Sequence, residues 1–281
     1  MLFRSVDTLG IDGPSLCARH PRLIYCEISG FGATGPMKKL PAFEPVAQAF
    51  SGILSINGNP DAPPARLGVS VVDMGTAMWT VIGALSALHQ REISGKGGVV
   101  NTSLLETALA WAGPHIAGFL NEGRTPKRLG TAHPHLVPYQ TFEAADGSLL
   151  IAAGNDRLFE RLCGALGVPE WKTDPRFVGN RARIQNRVEL IKLISEKVAT
   201  NNRQFWIGTF TAAGVPCAAV NTIPEVLQEP QIAALGILQK VADTGVTLTG
   251  LPLSFDGARP QIRKLGPRLG QDNERRLNNR T

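Results

Sequence analysis

The chain has 281 residues, of which 43% are apolar and 19% charged, with a formal net charge of +6. That composition excludes wholesale disorder and is enough for one large domain or two smaller ones. Basic residues are spread thinly apart from Arg124–Arg128 and Arg275–Arg276, with no basic stripe interleaved with aromatics, which argues against a nucleic-acid partner. The charge is compatible with a small anionic ligand, and fits an ordinary solvated surface best.

The longest uncharged apolar run, Met74 to Leu88, is too short to span a bilayer. Met1–Asp7 lacks the basic and then apolar layout of a signal peptide. A cytoplasmic protein without membrane contact is the expectation. Cys17, Cys26, Cys163 and Cys217 are far apart and form no Cys-x-x-Cys pair. They predict buried free thiols rather than a metal site or a disulfide framework.

In chain order, Leu23–Ile28 reads as a strand closed by Gly30, and Glu44–Phe50 as a short helix. Gly68–Val72 reads as a strand or extended approach to a long helix, whose apolar residues fall at 74, 77, 78, 81, 82, 85 and 88. Ser94–Gly98 is a turn, Val99–Leu104 a strand, and Leu105–Leu120 a second apolar helix. Alternating strands and helices predict an α/β layer fold with a parallel sheet. A polar break follows at 121–126. Val137–Phe142 and Leu149–Ala153 then read as a hairpin around Asp146-Gly147. Helices are expected near 157–166, 187–199 and 202–213, and short strands and loops beyond Pro230, ending in a polar tail. The predicted division is a large domain over 1–125, a small one over 130–222, and a segment 223–281 returning to the large domain.

Asp73 stands at the seam before the long helix, as a predicted N-cap. The positive end of the helix dipole favours negative charge there. It is the only carboxylate between Asp61 and Glu92. A lone carboxylate at the mouth of an apolar helix is either a cap or a nucleophile.

Other motifs are weaker. Gly30-Phe31-Gly32-Ala33-Thr34-Gly35 matches G-x-G-x-x-G after a strand, but Pro36 and Pro41 interrupt the helix that a dinucleotide site needs, so a glycine loop is expected. Gly154-Asn155-Asp156 is either a capped turn or a loop whose small residues admit a ligand. His133-Pro134-His135 lacks partners at ligand spacing and reads as a structural loop. No G-x-S-x-G elbow is present.

Several segments in fixed order resemble the class III CoA-transferases, the family of formyl-CoA and carnitine CoA-transferases. They include His20–Tyr25, Ile28–Pro36, Phe43–Ala49, Val72-Asp73, Ser94–Gly97, Val137–Tyr139, Gly154–Asp156, Gly214–Cys217, Glu229–Gln231 and Leu269–Gln271. The resemblance covers nearly the whole chain. It implies an incomplete Rossmann-like large domain with a parallel sheet, plus a smaller α+β domain.

It also places the family's nucleophilic aspartate on Asp73. Transfer of CoA from a succinyl-CoA-like donor to a carboxylic acid would then pass through aspartyl anhydride and aspartyl-CoA thioester intermediates. Amides near Met74 and Gly75 would serve the oxyanion. Pro41, Ala42, Phe43 and Glu44 fall where family members contact CoA, and Gly154, Asn155 and Asp156 fall on the loop that covers the active site. Asn155 and Asp156 make this loop stiffer than the family's run of glycines.

Coenzyme A enters as a substrate, with no permanently bound cofactor or metal. Residues 128–142 and 186–194 look most like the succinyl-CoA:dicarboxylate branch, and Arg128 is a candidate for a distal carboxylate. An interlocked homodimer is expected. Acyl-CoA racemases share this fold, but their base would fall on Phe43, whose ring cannot accept a proton. Met1 falls about a quarter of the way into the family pattern, where Met1–Ser5 replaces the usual run. The resemblance therefore also implies an N-terminally truncated member with an exposed sheet edge, and a non-catalytic fragment or partner subunit as the alternative function.

Overall fold

The computed structural model describes residues 5–273. Met1–Arg4 and the tail with Arg275–Arg276 lie outside the described residues. The chain divides into two compact units: Met1–Thr141 with Ala152–Lys192, and Phe142–Ile151 with Leu193–Thr281.

In the first unit the elements run α1 (Ser5–Leu9), α2 (Gly13–Arg19), β1 (Ile24–Ser29), α3 (Glu44–Phe50), α4 (Ile53–Ile56), α5 (Val71–Ser94), β2 (Gly98–Ser103), α6 (Leu104–Trp111) and α7 (Gly113–Glu122). Strands β1 and β2 are parallel, with Ile24 opposite Gly98 and Ser29 opposite Ser103. A parallel pair needs a crossover, and α5 supplies it. Helices cover both faces. A Cβ on Gly13 of α2 would lie 2.9 Å from Tyr25 and from Val99, and one on Gly83 of α5 would lie 2.5 Å from Val100. Tyr25 and Val99 point to one face, and Val100 to the other.

The stretch Gly68–Val72 is not a strand. It is an irregular approach of bends, with Val71 and Val72 already helical and Ser70 at the N-cap position of α5. The apolar periodicity of α5 is real but faces the other way. Met74, Met78, Val81, Ile82 and Leu85 are exposed, while Val72, Gly75 and Thr76 are the buried positions. The helix sits so close to the sheet that only small or hydroxyl-bearing residues fit the contact side. Helix α5 is long and apolar enough to cross a membrane by length and composition, unlike the shorter uncharged run within it. Its contacts with both strands are nevertheless those of a crossover helix in a βαβ unit.

The predicted helix over 105–120 is two helices. Pro114 lies in the first turn of α7, where its missing N–H costs nothing, but it cannot continue α6. Gly30–Gly35 is a loop without a following helix, with positive φ at Gly32 and Gly35.

The hairpin β3 (Tyr139–Ala144) and β4 (Gly147–Ala152) forms around the predicted turn. Helix α8 (Asp156–Ala165) follows, then α9 (Gly179–Gln185) and α10 (Arg187–Val198). Phe159, Leu162, Cys163, Phe177 and Leu190 are buried in this part of the first unit. In the second unit β4 pairs antiparallel with a strand not foreseen, β5 (Cys217–Ala219). Helix α11 (Arg203–Ala212) buries Trp206 and Phe210 as a stacked pair, and the Trp206 indole donates to Val198 O at 2.7 Å.

Of the four thiols, Cys163 is buried, Cys17 and Cys217 are partly buried and Cys26 is exposed, so the expectation of burial fails at Cys26. Cys26 lies on the sheet face that α5 covers incompletely. Burial pushes the Cys163 thiol from 9.0 up to about 12. The folded state thus holds this proton more tightly than the unfolded chain does. The associated stability is complete below pH 9.0 and falls as pH rises from 9.0 towards about 12. Thermal unfolding across that range should show a shallower decline in Cys163→Ala than in the parent. In the native protein a disulfide-exchange reagent should label Cys26 and spare Cys163.

Candidate active site

Helix α5 runs antiparallel to the strands. Thr80 Oγ1 lies 2.8 Å from Thr102 Oγ1 near the strand ends, while Arg91 Nη1 donates to Arg22 O near the strand starts. The N-terminus of α5 therefore projects beyond the carboxyl ends of β1 and β2, the edge where open α/β sheets place their ligands.

Asp73 sits there, exposed, as the third residue of α5 rather than its cap. The cap is Ser70, whose side chain makes no capping bond. Asp73 thus keeps its carboxylate free of a capping role while remaining in the turn where the dipole favours negative charge. The Met74 N–H is not free for an oxyanion, because it donates to Ser70 O at 3.0 Å. Helical register pairs Gly75 in the same way and leaves the amides of Val72 and Asp73 without intrahelical partners.

The start of α5 is fixed from below. Val72 belongs to a buried cluster with Ala47, Ile53, Leu104, Ala108 and Ala112. Thr76 Oγ1 lies 2.7 Å from Val72 O and 2.8 Å from Thr107 Oγ1, and the Thr107 hydroxyl donates to Ser103 O at 2.9 Å. Thr76→Val removes a buried hydroxyl while keeping shape, and should cost about 1–2 kcal/mol in chemical denaturation. Gly75 allows α6 to approach, since a Cβ there would lie 3.0 Å from Thr107 and Trp111.

The segment Pro41–Glu44 reaches the same end of the sheet. Gly30, directly after β1, packs against it so closely that a Cβ would lie 2.6 Å from the Ala42 Cβ, and Gly30 O accepts from Leu105 N. Pro41 is exposed and Ala42 partly buried. Phe43 is 79% exposed, whereas Glu44 is 3% exposed. Only the first three present themselves to solvent; Glu44 turns inward. Its Oε1 accepts from the Gln48 amide, Gln48 Oε1 accepts from Leu67 N at 3.1 Å, and Glu44 Oε2 is buried without a hydrogen-bond partner. This Glu44–Gln48–Leu67 chain ties α3 to the loop that delivers α5. Gln48, Thr76 and Thr107 are positioning groups that carried no signal in the sequence beyond their helical spacing.

A cleft of about 260 Å³ lies along β2 and α6, lined by Trp79, Asn101, Thr102, Ser103, Glu106, Thr107 and Ala110. It contains none of the predicted site residues.

Gly154, Asn155 and Asp156 form a capped turn. Asn155 caps α8, its Oδ1 accepting from Leu158 N at 2.9 Å, and Asp156 pairs with Arg183. The described hydrogen bonds of this turn run to Leu158 and Arg183 and not to Asp73 or Phe43. Arg128 Nε and Nη2 donate to the carbonyls of Asn59 and Pro60, which ties two loops together and leaves its fork unavailable for a bidentate carboxylate. His133 stacks on Tyr139, and burial, with His135 and Arg187 nearby, holds its imidazole below the usual range. Among the described residues no cluster of His, Cys, Asp and Glu has metal-binding geometry.

A family model described as CoA-transferase family III matches residues 3–273. An acetyl-CoA:oxalate CoA-transferase from Acetobacter aceti is 36% identical over 268 residues, covering 95% of this chain and 68% of the relative. A succinate–glutarate CoA-transferase from Agrobacterium fabrum is 34% identical, covering 93% and 66%. A succinyl-CoA:glutarate CoA-transferase from Mus musculus is 34% identical, covering 89% and 58%. The chain thus spans between 58% and 68% of the length of these relatives. The crystal structure of a CAIB/BAIF family protein from Brucella suis superimposes with a TM-score of 0.85 at 33% identity, covering 99% of this chain and 73% of that one. A Mycobacterium tuberculosis protein of 24% identity shares the fold with a TM-score of 0.86, covering 96% and 72%. With a parallel-sheet α/β fold, an exposed aspartate at the carboxyl edge of that sheet and a family match along almost its entire length, the chain belongs to CoA-transferase family III.

Proposed function

We propose that this chain transfers coenzyme A from a succinyl-CoA-like donor to a carboxylic acid acceptor, with Asp73 as the nucleophile. The exposed carboxylate of Asp73, in the first turn of a helix aimed off the carboxyl edge of the sheet, is the observation that carries this reading.

The Asp73 carboxylate adds to the donor thioester carbonyl, the C–S bond breaks, and CoA leaves as a thiolate. The resulting mixed anhydride is attacked by that thiolate at the aspartyl carbonyl. The donor acid departs as a carboxylate, leaving an aspartyl-CoA thioester. The acceptor carboxylate then displaces the thiolate from this thioester, and the thiolate attacks the acceptor's own carbonyl. This releases the new acyl-CoA and restores Asp73. Carboxylate and thiolate are the only charged species exchanged, so no general base is required. The amides of Val72 and Asp73 are the candidate oxyanion donors.

Dicarboxylates such as glutarate are the proposed acceptor class, in keeping with the names of two of the relatives. Phe43, exposed on the segment proposed to meet CoA, offers an apolar surface and no proton acceptor, which favours transfer over racemisation. A homodimer in the cytoplasm is the proposed working form, supported by the open stripe of Met74, Met78, Val81, Ile82 and Leu85.

The test is turnover with trapping. The purified chain is incubated with succinyl-CoA and a panel of dicarboxylates. New acyl-CoA should appear, and intact mass should show a CoA adduct that hydroxylamine removes and that maps to Asp73. Turnover without any adduct would count against the covalent route. No turnover and no adduct would favour a partner-subunit role.

A further inference from the structure

The chain that delivers Asp73 is irregular: residues 57–70, between α4 and α5, form neither helix nor strand. Its first part is held at several points. Asn57 Nδ2 donates to Ala65 O at 2.6 Å, and Arg128 donates to Asn59 O and Pro60 O. From residue 66 to residue 70, one described hydrogen bond reaches an element other than α5 itself, from Leu67 N to Gln48 Oε1 at 3.1 Å. Gln48 is fully buried, and chemistry decides which way its amide faces. The Leu67 N–H needs an acceptor, so the Gln48 oxygen faces Leu67 and its nitrogen faces Glu44, where it donates to Oε1. Glu44 has no other described side-chain donor, and turning the amide over would set N–H against N–H and oxygen against oxygen. Burial adds a second attachment. Ala47, next to Gln48, shares a buried cluster with Val72, next to Asp73, and Leu67 and Val71 pack against that cluster. Apolar burial is non-directional, whereas a hydrogen bond fixes a distance and an angle. The cluster therefore holds the start of α5 down, and Gln48 decides where along the cluster it stands.

We propose that Gln48 is a positioning residue that sets the stance of Asp73, acting through Leu67 on the first turn of α5. This rests on the reading of Asp73 as the nucleophile. Asp73 and the two amides assigned to the oxyanion all lie within six residues of Leu67 along the chain. A displacement of about 1 Å at a reacting group is enough to cost about a hundredfold in rate. Gln48 is buried and meets no substrate, so its effect falls on kcat and not on KM.

Gln48→Leu keeps much of the volume and removes both hydrogen bonds. Per folded molecule, kcat for transfer from succinyl-CoA should fall about thirtyfold while KM stays within about twofold. Hydrogen exchange should quicken about tenfold at Leu67 and about fivefold at Met74, whose amide closes the first turn of α5, relative to α11. Gln48→Glu keeps the acceptor for Leu67 but loses the donor to Glu44, and should show the same losses. Adding Glu44→Gln returns a donor amide to the pair and should bring kcat back to within about threefold of the parent. A purely structural Gln48 would lower the unfolding temperature and leave kcat per folded molecule unchanged, and that result overturns the proposal. Met74 exchange that keeps the parent rate while Leu67 exchange quickens also defeats it, since the clamp then does not reach α5. If Gln48→Leu does not fold, the swap carries the test: no loss in Gln48→Glu, or a loss that Glu44→Gln leaves in place, counts against Gln48. Exchange at Leu67 and Met74 is readable whether or not the chain turns over. Transfer that survives Asp73→Ala would sink the catalytic reading while leaving the exchange result intact.

Discussion

Asp73→Ala is expected to lower CoA transfer by at least about a thousandfold in kcat, with no comparable change in stability. In the proposed route the carboxylate is the group that becomes acylated, so its removal would delete that route instead of weakening it. Asp73→Asn is the sharper variant. It keeps the volume and the polar character of the first helical turn but offers a neutral amide that does not attack a thioester. Asp73→Glu keeps the charge and moves it by one methylene, which should still cost about a hundredfold through lost alignment. Because Asp73 is exposed and caps nothing, the stability cost of the neutral variants is limited to its favourable interaction with the helix dipole, about 0.3–1 kcal/mol. Chromatography of acyl-CoA products and thermal unfolding on the same preparations separate the two effects. A thousandfold loss accompanied by unfolding would assign Asp73 to structure, and retained transfer would remove it from the chemistry.

Gly97→Ala is expected to destabilise the fold by about 3–5 kcal/mol in urea denaturation. Gly97 lies in the turn from α5 into β2, and its amide donates to Pro21 O at 2.8 Å. A Cβ there would overlap the carbonyl group of Leu23, which is backbone and not the movable tip of a side chain. Relief requires shifting the chain entering β1 or the chain entering β2, and those two strands are the whole parallel sheet of the described residues. Its neighbours provide the controls. Gly98 has nothing within 4 Å of its would-be Cβ, so Gly98→Ala should be nearly neutral. Gly95 closes α5 at φ 71°, so Gly95→Ala should cost about 1 kcal/mol for the left-handed backbone alone. Equal costs at all three positions would show that the clash is relieved without disturbing the sheet.

Local signals explain why much of the fold was legible. Strands β1 and β2, helices α3, α8, α10 and α11, and the hairpin at Asp146-Gly147 all form within a residue or two of expectation. Each is specified by periodicity, a cap or a turn dipeptide contained in its own segment. Helix α2 carried such a signal unread, for Asp12 caps it and accepts from Ser15 N with Pro14 in the first turn. Strand β5 carried none, because three residues become a strand only by pairing with β4. The same contrast runs through the site. Asp73 was visible as a lone carboxylate beside an apolar helix. Gln48, Thr76, Thr107 and Arg183 were not, because a buried polar side chain is recognisable only by the partners that satisfy it.

By itself the sequence determined the α/β alternation, the order of the family's segments and the candidacy of Asp73, all of which depend on residues near one another along the chain. Tertiary structure alone decided which side of α5 meets the sheet. The apolar residues at 74, 78, 81, 82 and 85 mark a stripe, but close approach selects the side where Gly75, Thr76, Thr80 and Gly83 leave room for Val100, Thr102 and Thr107. It also decided that Asp73 is a free carboxylate and Ser70 the cap, that Glu44 points inward while Phe43 faces solvent, and that one buried arginine holds the Gly154–Asp156 loop. Each of these outcomes depends on how closely distant segments pack, which local patterning does not encode.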